Sequence, residues 1–327
     1  MENIATQSRR RFLALLSGLA ASQGLTACAW LKDLPITIAA HIWLGYEPMF
    51  LAEREGWLDP RHVRLLETAS ATESIQALQA QKVDGAALTL DETLKARALG
   101  LPLSVVMIFN ISAGADMLLV REGITELAGL RGVRLGFEQS SVGELLLAII
   151  LRRAGLSPQS LHLFPLTVDR HLQAWQENQL DAVITYEPVA SQILLHGAVK
   201  LFDTRQTPNT IVDVLAIRRA SLTQHDTALR ELMAGHFRAL ELWYSNPIDT
   251  AHRLSLSLGV DSEQVKTLFK GLDMPDVLYN RQYLHPPAAQ LQHSAREIAD
   301  IFIRQGLMHH PFQGERLFSA DYLPGEL

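Results

Sequence analysis

The 327-residue chain has a single cysteine, Cys28, so no intramolecular disulfide can form even where the compartment would permit one. Stability is left to a hydrophobic core, which a chain of this length can bury. Basic runs are missing as well. With 29 Lys and Arg against 35 Asp and Glu, the formal net charge is −6. A mildly acidic chain without a basic patch argues against nucleic acid as a partner. No apolar run reaches the roughly 20 residues of a membrane-spanning helix. HExxH, CxxC, P-loop and Gly-x-Ser-x-Gly spacings are all absent. The twelve histidines are scattered, with His309-His310 in an expected surface loop. These absences lead to an expectation of no catalysis, no cofactor and no metal.

The N-terminus carries an address. Arg9, Arg10 and Arg11 precede an apolar stretch from Phe12 to Ala27, the layout of an export signal. Ser8-Arg9-Arg10-Arg11-Phe12-Leu13 resembles the twin-arginine consensus. Leu25-Thr26-Ala27-Cys28 resembles a bacterial lipobox, in which the cysteine is lipidated and becomes the new N-terminus. Export with lipid attachment at Cys28 is therefore expected, leaving the Tat or Sec route and the choice of membrane open.

Beyond Cys28, apolar strand-like runs alternate with amphipathic helical stretches, the pattern of α/β folds. Strands are predicted at Ile36–Trp43, Val63–Glu67, Gly85–Thr89, Leu103–Phe109 and Met117–Val120. Helices are predicted over Pro48–Glu55, Thr72–Gln81 and Asp91–Leu99. After Leu127–Gly132 a second round follows. It has strands at Val133–Phe137, Leu161–Leu166, Ala182–Thr185, Lys200–Phe202 and Val212–Ile217, with helices over Val142–Ala154, His171–Asn178 and Pro188–Leu195. From Ser221 onward the chain reads as mainly helical. Gln79-Ala80-Gln81-Lys82-Val83-Asp84-Gly85-Ala86 leading to Thr89 echoes Gln176-Glu177-Asn178-Gln179-Leu180-Asp181-Ala182 leading to Thr185. Two related halves, each with a mainly parallel sheet, are the simplest explanation.

Ligands of open α/β sheets bind beyond the carboxyl ends of the strands. Four such junctions are rich in polar and aromatic residues: Trp43–Pro48, Thr89–Glu92, Glu138–Glu144 and Thr185–Pro188. In the third, Ser140, Ser141 and Gly143 open a helix, where exposed N–H groups and the helix dipole favour an anion. The carboxylates Glu47, Asp91, Asp116, Glu187 and Asp213 fall at or near strand ends and make the cleft electronegative. Trp43, Tyr46 and Tyr186 offer faces for a planar or cationic ligand. Arg121, Arg131 and Arg134 read as loop or strand-edge charges.

Gly45-Tyr46-Glu47-Pro48-Met49-Phe50-Leu51-Ala52, Ser112-Ala113-Gly114-Ala115-Asp116, Ser141-Val142-Gly143-Glu144 and Tyr186-Glu187-Pro188 resemble the sulfonate/nitrate/taurine and thiamine-pyrimidine binding-protein family. The resemblance covers nearly all the chain after Cys28. It implies a two-lobed, type II periplasmic-binding fold that closes over a small solute, served by a separate ABC permease and ATPase. It further implies a first lobe of residues 29–116 and 213–327, a second lobe of residues 117–212, and a signal at 1–28. Hinge strands are expected near Ala113–Met117 and Thr210–Asp213. By this likeness Trp43, Tyr46, Glu47, Asp91, Asp116, Ser140, Ser141, Glu187 and Asp213 are the ligand-binding candidates, and the protein is expected to be a monomer. A sulfonate- or taurine-like solute leads, with an aminopyrimidine or nitrate as alternatives. The same fold includes pyrimidine synthases, but their cysteine cluster is absent here. A sensory receptor would look the same in sequence.

Overall fold

A computed structural model describes residues 34–139, 142–285, 287, 289–309 and 314–325. Cys28 and its export signal, Ser140 and Ser141 lie outside these residues, as does His310.

The first half runs β1 (Ile36–His41), α1 (Glu47–Arg54), β2 (Val63–Thr68), α2 (Ala71–Gln79), β3 (Gly85–Thr89), α3 (Leu90–Ala98) and β4 (Leu103–Ser112). The second contains β5 (Asp116–Arg121), β6 (Arg134–Phe137), α4 (Val142–Ala154), β7 (His162–Pro165), α5 (Val168–Gln176), β8 (Ala182–Tyr186), α6 (Val189–Leu195) and β9 (Ala198–Asp203). The chain then returns through β10 (Val212–Arg218) to α7 (Arg219–Gln224), α8 (Asp226–Ser245), α9 (Pro247–Leu258) and α10 (Ser262–Phe269). A short β11 (Leu272–Asp273), α11 (Val277–Leu284) and α12 (Ala289–Arg304) complete it.

Two sheets result, a six-stranded one ordered β11-β4-β10-β3-β1-β2 and a five-stranded one ordered β7-β6-β8-β5-β9. In sheet one β1 pairs in parallel with β2 and β3, while β10 runs antiparallel to β3 and β4. In sheet two β6 pairs in parallel with β7 and β8, while β5 runs antiparallel to β8 and β9. The reversed inner strand of each sheet is the one that has just crossed from the other. The crossings lie between Ser112 and Asp116 and between Asp203 and Val212. β5 and β10 thus begin one residue ahead of the boundaries expected at 116/117 and 212/213.

Burial on both faces explains why the strands read as continuous apolar runs. Side chains alternate along β1: Ile36, Ile38 and Ala40 join the main core, while Ala39 faces Ala77 and Leu78 of α2. Helix α4 is buried from Val142 through Leu151, as expected for a helix apolar on every side. It packs against β6 and β8 and also reaches α3 and α12 of the first lobe. β4 continues past Phe109 to Ser112, further than its apolar run, because Asn110 and Ser112 find buried polar partners described below. Among the described residues no helix is long and apolar enough to cross a membrane.

Candidate functional site

Residues from all four junctions line one small cavity between the sheets. His41 and Trp43 come from the end of β1, and Thr89 and Glu92 from the β3–α3 junction. Asp116 opens β5, and Glu138, Val142 and Gly143 flank the start of α4. Thr185 and Tyr186 end β8, and Asp213 lies in β10. The free space is about 20 Å³, no more than a water requires. The lobes meet across it: the Trp43 and Tyr186 rings stand edge to face with centroids 5.2 Å apart.

Under this wall runs a chain of buried hydrogen bonds. Trp43 Nε1 donates to Asn110 Oδ1 (2.9 Å), and Asn110 Nδ2 donates to Asp213 Oδ2 (2.8 Å). Tyr46 Oη donates to Asp213 Oδ1 (2.6 Å). Gly45 is needed here for space. A Cβ at Gly45 would sit 1.7 Å from Asn110 Oδ1. Gly143 answers the same need at α4, where a Cβ would lie 2.3 Å from the Glu138 carbonyl oxygen. Thr89 and Glu92 form a capping box at α3, which fixes Glu92 at the cavity.

Four buried carboxylates, Glu92, Asp116, Glu138 and Asp213, therefore face one space. Burial pushes Asp116 up to about 7, opposed by a bond with Ser112 and assisted by Asp91 and Glu187. Burial also lifts Asp213 well above the usual carboxylate range. The Tyr46 and Asn110 bonds offset part of that lift, and Asp116 and Asp91 add to it. Glu92 is raised by burial and by Asp91, Glu138 and Asp213. His41 is the one basic side chain among the described lining residues, and burial lowers it to about 4, so it is neutral near pH 7. Behind Thr185, His171 Nε2 lies 3.0 Å from the Leu166 carbonyl and Nδ1 lies 3.2 Å from Thr185 Oγ1. A carbonyl only accepts, so Nε2–H donates to it and Nδ1 accepts from the threonine.

Of the sequence candidates, Trp43, Asp116 and Asp213 line the cavity, and Tyr46 stands behind it as a donor to Asp213. Asp91 is buried in the first turn of α3 and acts on the lining carboxylates through its charge. Glu47 is directed elsewhere: it pairs with Arg54 (3.0 Å) and accepts from Ser257 Oγ (2.8 Å). Glu187 accepts from Ser191 N (3.0 Å) and Oγ (2.9 Å), serving the start of α6. Neither glutamate is among the described lining residues. Arg134 pairs with Asp181 (2.8 Å), and Arg121 lies over the Trp175 ring at 3.9 Å. Sequence reasoning passed over His41 and Asn110 as site residues, and it named the junctions holding Thr89, Glu92 and Glu138 without singling those three out. His41 had a usable signal, since it lies two residues before Trp43 and so on the same strand face.

Comparison with known proteins places this geometry in context. The NMT1/THI5 like family model matches residues 45–250. A Brucella abortus protein named as a binding protein is 22% identical over 338 residues, covering 96% of this chain and 98% of its own length. An Escherichia coli protein named as an aliphatic sulfonates-binding protein is 27% identical over 168 residues, 48% of this chain and 53% of its own. The alkanesulfonate-binding protein of Xanthomonas axonopodis pv. citri, solved bound to MOPS, superposes with a TM-score of 0.71 at 19% identity. That superposition covers 88% of this chain and 97% of the other. The chain has the two-lobed type II periplasmic-binding-protein fold, and it belongs to the NMT1/THI5-like family.

Proposed function

We propose that this chain is the extracytoplasmic solute receptor of an ABC importer, and that its solute is a small aromatic bearing N–H donors, of the aminopyrimidine class. One observation carries the choice of solute: four buried carboxylates line the cavity, and the one basic group among the described lining residues is a neutral histidine. Such a lining rewards donors and positive charge, which favour the ionised, accepting form of the raised carboxyls, and among the described lining residues it offers a lone anion no cation to pair with. Trp43 and Tyr186, in edge-to-face contact across the lobes, would supply walls for a planar ring when the lobes part to admit it. Solute bridging the two sheets would stabilise the closed form through contacts that exist in no other arrangement. The crossings near residues 113–115 and 204–211 serve as hinges in this reading. Export and lipid attachment at Cys28 belong to it, as do a separate permease and ATPase. An amino-sulfonate is the second reading. It is supported by the sulfonate binding in the names of two similar proteins and by the start of α4 at the cavity, where N–H groups suit a sulfonate oxygen.

A thermal-shift series on the purified chain tests the choice, using 4-aminopyrimidine, taurine, methanesulfonate and nitrate. A solute at 100 times its dissociation constant adds about 2.7 kcal/mol. Stabilisation by 4-aminopyrimidine with none by methanesulfonate or nitrate is the expected result. A shift with taurine or methanesulfonate alone would transfer the assignment to sulfonates.

A further inference from the structure

Among the described residues, two buried side chains on the cavity wall carry a polar atom without a hydrogen-bond partner: His41 Nδ1 and Asp116 Oδ2. Buried polar atoms are nearly always satisfied, so each such exception calls for an explanation. The two belong to different lobes. His41 ends β1 in sheet one, and Asp116 begins β5 in sheet two. Aromatic rings hold the His41 imidazole without bonding to it. The Tyr46 ring stands at 5.4 Å and 88°, and Tyr186 is tilted at 6.0 Å. Asp116 is fixed at its backbone, where its N–H donates to Ser112 Oγ at 3.3 Å and its residue pairs with Tyr186 across the ladder.

Resting on the reading of this cavity as a solute site, we infer that His41 and Asp116 are the specificity-determining pair. Asp116 accepts from an N–H of the solute, and His41 bonds a second polar atom of the same molecule. Because the two sit on separate lobes, only a solute that satisfies both can bridge them. Burial keeps the imidazole neutral, so it contributes a directed hydrogen bond and not a charge. A solute with only one of the two groups leaves a buried atom unpaired on one wall, which is where discrimination of this kind arises.

Binding of three related probes separates the two contacts: 4-aminopyrimidine, pyrimidine (no amine) and aniline (no ring nitrogen). The wild-type chain should prefer the first over each of the others by about tenfold or more. Asp116→Ala should erase the preference over pyrimidine, and His41→Phe should erase the preference over aniline. Since neither atom has a partner among the described residues, neither ligand-free variant should melt more than about 3 °C below wild type. A larger drop would show that these atoms hold structure, and would overturn the pair. Variants that keep both preferences would overturn the pair alone. A wild-type chain that binds none of the probes would overturn the solute class and the pair together.

Discussion

Gly45 fixes the inner wall of the cavity by what it lacks. Its neighbour Asn110 is bonded at both ends, to Trp43 and to Asp213, so it cannot swing away from an added methyl group. Gly45→Ala should lower stability by about 1–3 kcal/mol in a denaturant titration, the usual cost of overpacking, and should weaken solute binding too. A second effect at this scale is linked to pH. Asp116 titrates at about 7 in the folded chain against roughly 3.9 when unfolded. A raised carboxyl contributes stability below the unfolded value, and that contribution is lost as pH rises through 7. The buried His41, His171 and His236, lowered to about 4, 4 and 3, act the other way. Their contribution is present above roughly 6.5 and is lost as pH falls toward the folded values. Melting temperature against pH should therefore be domed, and Asp116→Asn should flatten its alkaline side. The gain at pH 8 is at most on the order of 4 kcal/mol; a variant curve parallel to wild type would contradict the assignment. Asp213 and Trp43 were legible in the sequence because they stand at strand ends. Asn110 was not, since its role exists only once β10 lies beside β4, 103 residues away along the chain.

Up to Ser221 helices were the easier elements to foresee, because most carry an apolar face bounded by local signals such as the Thr89 and Glu92 capping box. Edges of strands were harder. β9 extends from Ala198 to Asp203, beyond the predicted Lys200–Phe202, and β11 has too short a pattern to announce itself. What no local pattern reveals is which elements of the two lobes touch. Lys95 of α3 forms an ion pair with Glu144 of α4, and its Nζ also donates to the Gln139 carbonyl at 3.3 Å. Beside it, Thr72 Oγ1 of α2 donates to Glu138 Oε1 at 2.9 Å. These contacts join elements that lie on opposite sides of the crossing strands, so they favour the closed arrangement. Lys95→Met leaves Glu144 buried without its cation, a costly state for the closed form. Small-angle scattering of the ligand-free variant should show a larger radius of gyration than wild type. Solute should also dissociate about tenfold faster, since loss of a buried pair acts mainly on that rate.

For the molecule as a whole, the division into two α/β halves was readable because both halves repeat the order strand, helix, strand, helix, strand with the same Asp-containing step before Ala. The swap of one inner strand between them came only from the family resemblance, which began the second lobe at residue 117 and returned to the first at 213; by their own pattern β5 and β10 look like ordinary apolar strands. The proposed membrane attachment would be a whole-molecule property resting on one thiol, that of Cys28. Cys28→Ala should move the chain from the membrane to the soluble fraction after osmotic shock, and a variant that stays with the membrane would rule out the lipid anchor. The exchanged strands also set an order of assembly. Everything sheet two needs lies between Asp116 and Asp203, an unbroken stretch of chain. Sheet one instead keeps the slot between β3 and β4 for β10. While the ribosome is still making residues before 212, its two pieces have bare edges and nothing to join them. The inserted half should thus mature first and the enclosing half last. Residues 113–210 made alone should unfold cooperatively, whereas a chain stopped at residue 211 should lose its first hundred residues to protease.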